Sequence, residues 1–194
     1  MQKRSAKSGF LKSNLSFISQ FLKNPKEIGA ILPSSPMLGK AMAKFVPEAQ
    51  DRFIVELGPG TGPITKALLK MNIREEELVC LEQSEKMVLH LQNRFPKLNV
   101  IQGDACELSE LLKEKSGKVN AIVSSLPLKS IPSAIVDKIL DQMDICLEPE
   151  GIIIQFTYDL RKQRSPLLKK FTRIKSKVVL GNVPPARVDV FQKL

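Results

Sequence analysis

Apolar residues recur with two periods along this chain, and together they mark out its elements. Compact apolar runs, bounded by glycine, proline or acid, predict buried strands. The first starts at Phe53 and ends in an acid, Glu56, just before a glycine-rich turn. The next are Glu77–Glu82, Leu98–Ala105 (a strand and its exit), Val119–Leu128 (a strand and its loop) and Ile152–Tyr158. Between them, helices are predicted over 63–70, from Ser84 to about Phe95, and over 132–147. The last two strands are predicted to form a hairpin ending in Asn182–Phe191. Towards the N-terminus, Met37–Phe45 reads as a helix that Ser34 or Ser35 caps. From Phe10 to Lys23 the spacing is amphipathic. Leu11, Leu15, Ile18 and Leu22 make one stripe with Phe10, Phe17 and Phe21 beside it, opposite Lys12, Ser13, Ser16, Gln20 and Lys23. Such a helix lies in a membrane interface or packs its apolar face on the domain.

Strands alternating with helices give an α/β doubly wound sheet, and its first turn is the most informative stretch. Gly58, Gly60 and Gly62 follow Glu56-Leu57, and a helix follows them. A dinucleotide fingerprint would place its third glycine where Pro63 stands, and there is no Gly-Lys-Ser/Thr of a triphosphate loop. The Glu-Leu-Gly-x-Gly-x-Gly form resembles instead the first motif of class I S-adenosylmethionine (SAM) methyltransferases. That resemblance implies a Rossmann-like sheet of seven strands, closed by a C-terminal antiparallel hairpin. It also implies that Glu56, Gly58, Gly60, Thr61 and Gly62 lie under SAM's carboxypropyl and ribose portion. Glu82 ends the second strand twenty residues after Gly62, where it would accept both ribose hydroxyls, with Gln83 beside it. Asp104, at the exit of the third strand, matches the family acid that meets the adenine amino group, next to the Ala105 backbone. Ser124 completes the expected cofactor set.

Composition narrows the chemistry. The 194 residues suit one domain with a proper core, and 43% hydrophobic and 26% charged residues are ordinary for a globular protein. Cys80, Cys106 and Cys146 have neither pairing nor metal spacing, which suits a reduced compartment. With His90 as the one histidine, His-based metal sites and Ser-His-Asp catalysis are excluded, and no metal is expected. No apolar run reaches the roughly 20 residues that span a bilayer, and no signal-peptide pattern is present. The net charge of +10 is unevenly placed: 8 basic and 2 acidic residues in 1–50, 12 and 17 in 51–159, 10 and 1 in 160–194. Basic ends on a mildly acidic middle suit a polyanionic surface, membrane or nucleic acid.

Substrate choice belongs to the loop after the fourth strand, Ser124-Ser125-Leu126-Pro127-Leu128. Adenine-directed amino methyltransferases carry Asn/Asp-Pro-Pro-Tyr or Asn-Leu-Pro-Tyr here, so that an amide or acid and a carbonyl accept the amine's protons while an aromatic stacks the base. Ser125 stands in place of the amide and Leu128 in place of the aromatic. Ser-Leu-Pro-Leu with Pro132 resembles the loop of bacterial phospholipid N-methyltransferases. The same family is resembled by Gly-Ala-Ile-Leu-Pro-Ser-Ser-Pro at 29–36, which there helps to cover the SAM site, by Gln155–Tyr158, and by Asn182–Phe191. This resemblance runs from about Phe21 to Phe191. It implies stepwise methylation of phosphatidylethanolamine to phosphatidylcholine at the inner face of the cell membrane, by a cytoplasmic, peripheral enzyme. Residues 1–48 would form a basic tail and helices for membrane contact and SAM-site cover, and 49–194 the methyltransferase domain. Tyr158, Ser125 and the Leu126 carbonyl are the expected catalytic groups. Phe10, Phe17, Phe21, Ser34, Ser35 and Pro127 are the expected substrate and membrane contacts. Tyr158 would either meet a head group or cap the core. Two alternatives stay open: an RNA or DNA adenine N6-methyltransferase, against which the missing amide and aromatic and the lack of an appended nucleic-acid domain count, and a non-catalytic SAM- and membrane-binding module.

Overall fold

Seven strands form a single sheet in the order β3-β2-β1-β4-β5-β7-β6 in this computed structural model, which describes residues 35–47, 52–71, 73–161 and 165–193. The expected basic tail, the helix at 10–23 with Phe10, Phe17 and Phe21, and Ser34 lie outside the described residues. Strands β1 (Phe53–Leu57), β2 (Leu78–Glu82), β3 (Asn99–Gln102), β4 (Val119–Ser124) and β5 (Leu147–Thr157) are mutually parallel. β7 (Ala186–Lys193) runs antiparallel between β5 and β6 (Phe171–Val179), so the C-terminal hairpin closes the sheet.

The apolar runs read as unbroken because helices cover both faces of the parallel strands. Ile54, Leu78, Cys80, Ala121, Val123, Ile152 and Ile154 share one core with Leu38 and Met42 of α1 (Pro36–Ala43) and Ile64 and Leu68 of α2 (Pro63–Leu69). The alternate residues Val55, Val79, Ile122 and Ile153 are buried on the other face. α3 (Glu85–Arg94) follows β2, α4 (Leu108–Leu112) follows a short 3-10 turn at Ala105–Glu107, and α5 (Ser133–Cys146) buries Ile135, Ile139, Leu140 and Met143. Among the described residues no helix is long and apolar enough to cross a membrane. At the outer edge β6 exposes Lys175 and Lys177, charges that block further strand pairing.

Ser35, one of the two serines expected to cap α1, does so, its Oγ accepting from the Leu38 N–H at 3.2 Å, and α1 packs in the same core as the sheet. Two local outcomes differ from the pattern. Ser84 sits at the N-cap of α3, yet its side chain makes no capping bond. Its N–H goes instead to Glu82 Oε1 at 2.9 Å. The expected turn at 148–151 is an irregularity within β5, which starts at Leu147. Val119 pairs with Leu147 and Ala121 with Ile152, so three residues of β5 are looped out there, with Glu150 at φ 63°.

Candidate active site

The carboxyl ends of β1, β2, β4 and β5 and the exit of β3 meet along one edge of the sheet, where an open α/β fold binds its ligands. After β1 the chain turns through Gly58, Gly60 and Gly62, with φ of 69°, 57° and 79°. These left-handed conformations cost glycine little and other residues much more. The three glycines serve different ends. A Cβ on Gly62 would sit 2.9 Å from Phe95 Cε2 and 3.0 Å from Leu91 Cδ2, so it is packed against the protein itself. A Cβ on Gly60 would meet nothing within 4 Å, so this glycine faces open space. The Thr61 carbonyl accepts from Arg94 Nη1 at 2.7 Å, tying the turn to α3.

One further acid, Glu82, reaches this turn, and a second, Asp104, stands at the neighbouring strand exit. Glu82 is buried, and its oxygens accept the N–H groups of Gly60 (3.0 Å) and Ser84 (2.9 Å). Each carboxylate oxygen keeps a further lone pair for a hydroxyl. Asp104 accepts the Cys106 N–H at 2.9 Å and Gln83 Nε2 at 3.2 Å. Gln83 therefore links the exits of β2 and β3, and Ala105 follows at the start of the 3-10 turn. Burial, aided by the charge of Asp104, pushes the Cys106 thiol up to about 12, so it stays protonated.

Glu56 lies beneath the turn with no exposed surface. Thr65 Oγ1 donates to its Oε2 at 2.7 Å and Cys80 Sγ lies 3.5 Å from the same oxygen. Burial above all pushes the Glu56 carboxyl from 4.5 to about 7. Its Oε1 and Gln83 Oε1 are buried without a hydrogen-bond partner among the described residues. Buried acceptors left over beside a glycine turn with open space above it fit a polar ligand such as SAM.

The loop after β4 leans on the glycine turn: Leu126 Cδ2 lies 3.1 Å from where a Gly58 Cβ would stand. Ser124 Oγ accepts the Leu126 N–H at 3.3 Å, and the Ser125 N–H donates to the Leu57 carbonyl at 2.9 Å. The Leu126 carbonyl accepts both the Leu128 N–H (2.8 Å) and Gln155 Nε2 (3.1 Å), so both of its lone pairs are taken. Tyr158 packs edge-on to Phe156, ring centroids 5.6 Å apart, at the border of the core. Sequence reasoning missed Gln155. Its signal was a polar residue directly after Ile152-Ile153-Ile154, noted only as the start of the family-like segment Gln155–Tyr158 and given no role of its own.

Leu128 points away from solvent into a cleft of about 450 Å³. Its apolar walls are Leu128, Ile131, Val136 and Pro166, and Lys129, Arg161, Lys169 and Asp159 are its charged lining. Asp159 carries two cations, Lys129 at 2.7 Å and Arg161 at 2.9 Å. Arg161 first, then Lys129, holds its carboxyl well below the usual carboxylate range. One carboxylate shared by two cations leaves a surplus positive charge at the cleft. Among the described residues, no cluster of three or more His, Cys, Asp or Glu could hold a metal. Pro127 joins the two parts of the loop.

Comparisons with known proteins agree with this geometry. Residues 10–174 match the family model described as ribosomal RNA adenine dimethylase. An ornithine lipid N-methyltransferase of Singulisphaera acidiphila is 30% identical over 145 residues, which are 73% of this chain and 76% of that protein. A ribosomal RNA small subunit methyltransferase A of Mycoplasma capricolum is 31% identical over 128 residues, 64% of this chain but 47% of that protein. The match therefore spans under half of this ribosomal RNA relative's length. The fold is shared with the N-methyltransferase NodS of Bradyrhizobium japonicum in complex with S-adenosylhomocysteine: TM-score 0.66 at 14% identity, over 93% of this chain and 98% of that one. TrmN of Thermus thermophilus has TM-score 0.67 at 19% identity over 85% of this chain and 51% of that one. The chain belongs to the ribosomal RNA adenine dimethylase family and is a SAM-dependent methyltransferase.

Proposed function

We propose that this methyltransferase acts on the primary amine of a membrane lipid head group, with phosphatidylethanolamine as acceptor, taken stepwise through mono- and dimethyl forms to phosphatidylcholine. The observation that carries the reading is the cleft beside the loop after β4. Apolar walls and a surplus cation suit an amphiphile that bears an anionic group near its amine, and Leu128 offers no ring on which to stack a base. The relative named as an ornithine lipid N-methyltransferase supports the same acceptor class, an amine carried on a lipid. The basic ends of the chain would meet an anionic membrane surface, at about 1 kcal/mol for each lysine or arginine near it.

Glu56, Gly60, Glu82, Gln83 and Asp104 are the residues that would hold the cofactor. When bound, SAM would supply an electrophilic methyl group: the amine's lone pair makes the new C–N bond and the C–S pair goes to sulfur. The ammonium product of the first two transfers sheds its proton to water, and that of the third is a quaternary ammonium with no proton to lose. The protein's own part is to bring a neutral amine into line and keep it there. The test is to give the purified protein labelled SAM with three acceptors in parallel. These are phosphatidylethanolamine vesicles and ornithine-lipid vesicles, both doped with anionic lipid, and structured ribosomal RNA. Label in either lipid fraction supports the reading, and the two lipid arms decide which head group is used. Label in RNA alone overturns it and makes the basic ends a nucleic-acid footprint.

A further inference from the structure

We infer that Gln155 supplies the amide that recognises the acceptor amine, taking over from the side chain missing at Ser125. The inference rests on the chain being an amine methyltransferase but not on whether that amine belongs to a lipid or to a base. Three observations carry it. Register pairs Ser124 with Gln155 across β4 and β5, which places Gln155 directly beside the acceptor loop at the sheet's carboxyl edge. Its Nε2 donates to two carbonyls, Leu126 at 3.1 Å and Phe156 at 3.0 Å. A flipped amide would set an oxygen against both carbonyls, so the orientation is determined by its partners. Gln155 Oε1 is therefore the atom left over: buried, and without a hydrogen-bond partner among the described residues.

The Leu126 carbonyl cannot take its place, since the Leu128 N–H and Gln155 itself occupy it. Ser125 ends in a hydroxyl one bond from Cβ, which does not reach as far as an amide. A primary or secondary amine that donates one N–H to Gln155 Oε1, as in the first two transfers, has its lone pair turned by that bond, and the bond strengthens as positive charge grows on nitrogen. This is the transition-state selectivity that a motif amide provides. The buried acceptor thus has a use that a purely structural glutamine lacks.

The test uses the full-length protein and whichever of the three acceptors the wild type labels. Gln155→Leu is expected to lower kcat by about 100-fold, near the effect of removing one preorganised polar group, while SAM affinity stays within about twofold by calorimetry. Counting active molecules by SAM-binding stoichiometry separates this from misfolding. In the Gln155→Leu background, Ser125→Asn returns an amide to the loop and is expected to regain at least about tenfold in kcat. A Gln155→Leu kcat within threefold of wild type, per SAM-binding site, overturns the inference. So does a double variant that binds SAM fully yet stays as slow as Gln155→Leu. A wild type that labels none of the three acceptors removes amine transfer itself and the inference with it.

Discussion

Replacing Glu56 by glutamine is expected to make the protein more stable while weakening its hold on SAM. Burial pushes this carboxyl from 4.5 to about 7, the neighbouring charge of Glu82 adds to the rise, and the bonds from Thr65 and Cys80 oppose it. Between those two values the folded chain still holds a proton that the unfolded chain has released. Stability is therefore lost as pH climbs through that window, and the loss is complete above about 7. At ~1.36 kcal/mol for each pH unit the gap amounts to about 3 kcal/mol. Glutamine has the same shape, can still accept from Thr65 Oγ1, and has no charge to bury. At pH 8 the variant should exceed wild type by about 3 kcal/mol, roughly 6–12 °C in Tm for a chain of this size, and the two should converge near pH 4.5. SAM affinity should fall by about tenfold or more, because the unpartnered Oε1 becomes a neutral amide atom. Thermal melts without SAM at pH 5, 6.5 and 8, with calorimetry of SAM binding at pH 8, measure both. Parallel pH–stability curves for the two proteins would refute the buried-proton argument. Unchanged affinity would remove Glu56 from the cofactor site.

Four further outcomes are expected. Gly62→Ala should cost about 2–3 kcal/mol in denaturant melts, because its Cβ meets Phe95 and Leu91 at a left-handed φ of 79°. Gly60→Ala, with nothing within 4 Å, should cost only about 1 kcal/mol in stability yet abolish measurable SAM binding; normal binding would show that SAM does not lie over it. Arg161→Glu reverses a side chain that is 69% exposed, so Tm should hold while KM for a lipid acceptor rises about tenfold with kcat little changed. An unchanged KM would take the cleft out of acceptor binding. Arg187→Met should destabilise by about 3 kcal/mol, since the buried Asp189 loses the partner that holds it at 2.8 Å and keeps Ser176 Oγ at 2.7 Å and the more distant Arg173 at 3.6 Å. Adding Asp189→Leu should recover most of that loss in the same melts.

The sheet was legible because its central parallel strands, β1, β2 and β4, are buried on both faces and are separated by helical spacing. The hairpin at the end was legible because two runs close the chain after the last helix. The cofactor edge was legible for a similar reason: Gly58, Gly60, Gly62, Glu82 and Asp104 stand at strand exits, and strand exits are countable from the sequence. Contacts that join distant segments were not. Nothing local predicts that the Glu82 carboxylate is held by the Gly60 and Ser84 N–H groups, or that the Ser84 side chain is then left out of its cap. The cleft is likewise assembled from the loop after β4, α5 and the residues after β5, which only the fold brings together.

Gln155 shows why the acceptor side is harder to read than the cofactor side. A motif position is judged by what stands in it, so Ser125 reads as a lost amide and Leu128 as a lost ring. The neighbouring strand can return the amide without restoring the motif, because Ser124 and Gln155 are partners in register although 31 positions separate them in the sequence. The ring is not returned. Leu128 turns instead into the cleft beside Ile131 and Val136. If Gln155 holds the amine as inferred, the loop would keep its means of holding an amine without a means of stacking a base. That asymmetry favours a flexible, amine-bearing amphiphile over a nucleobase and over a chain that only binds SAM.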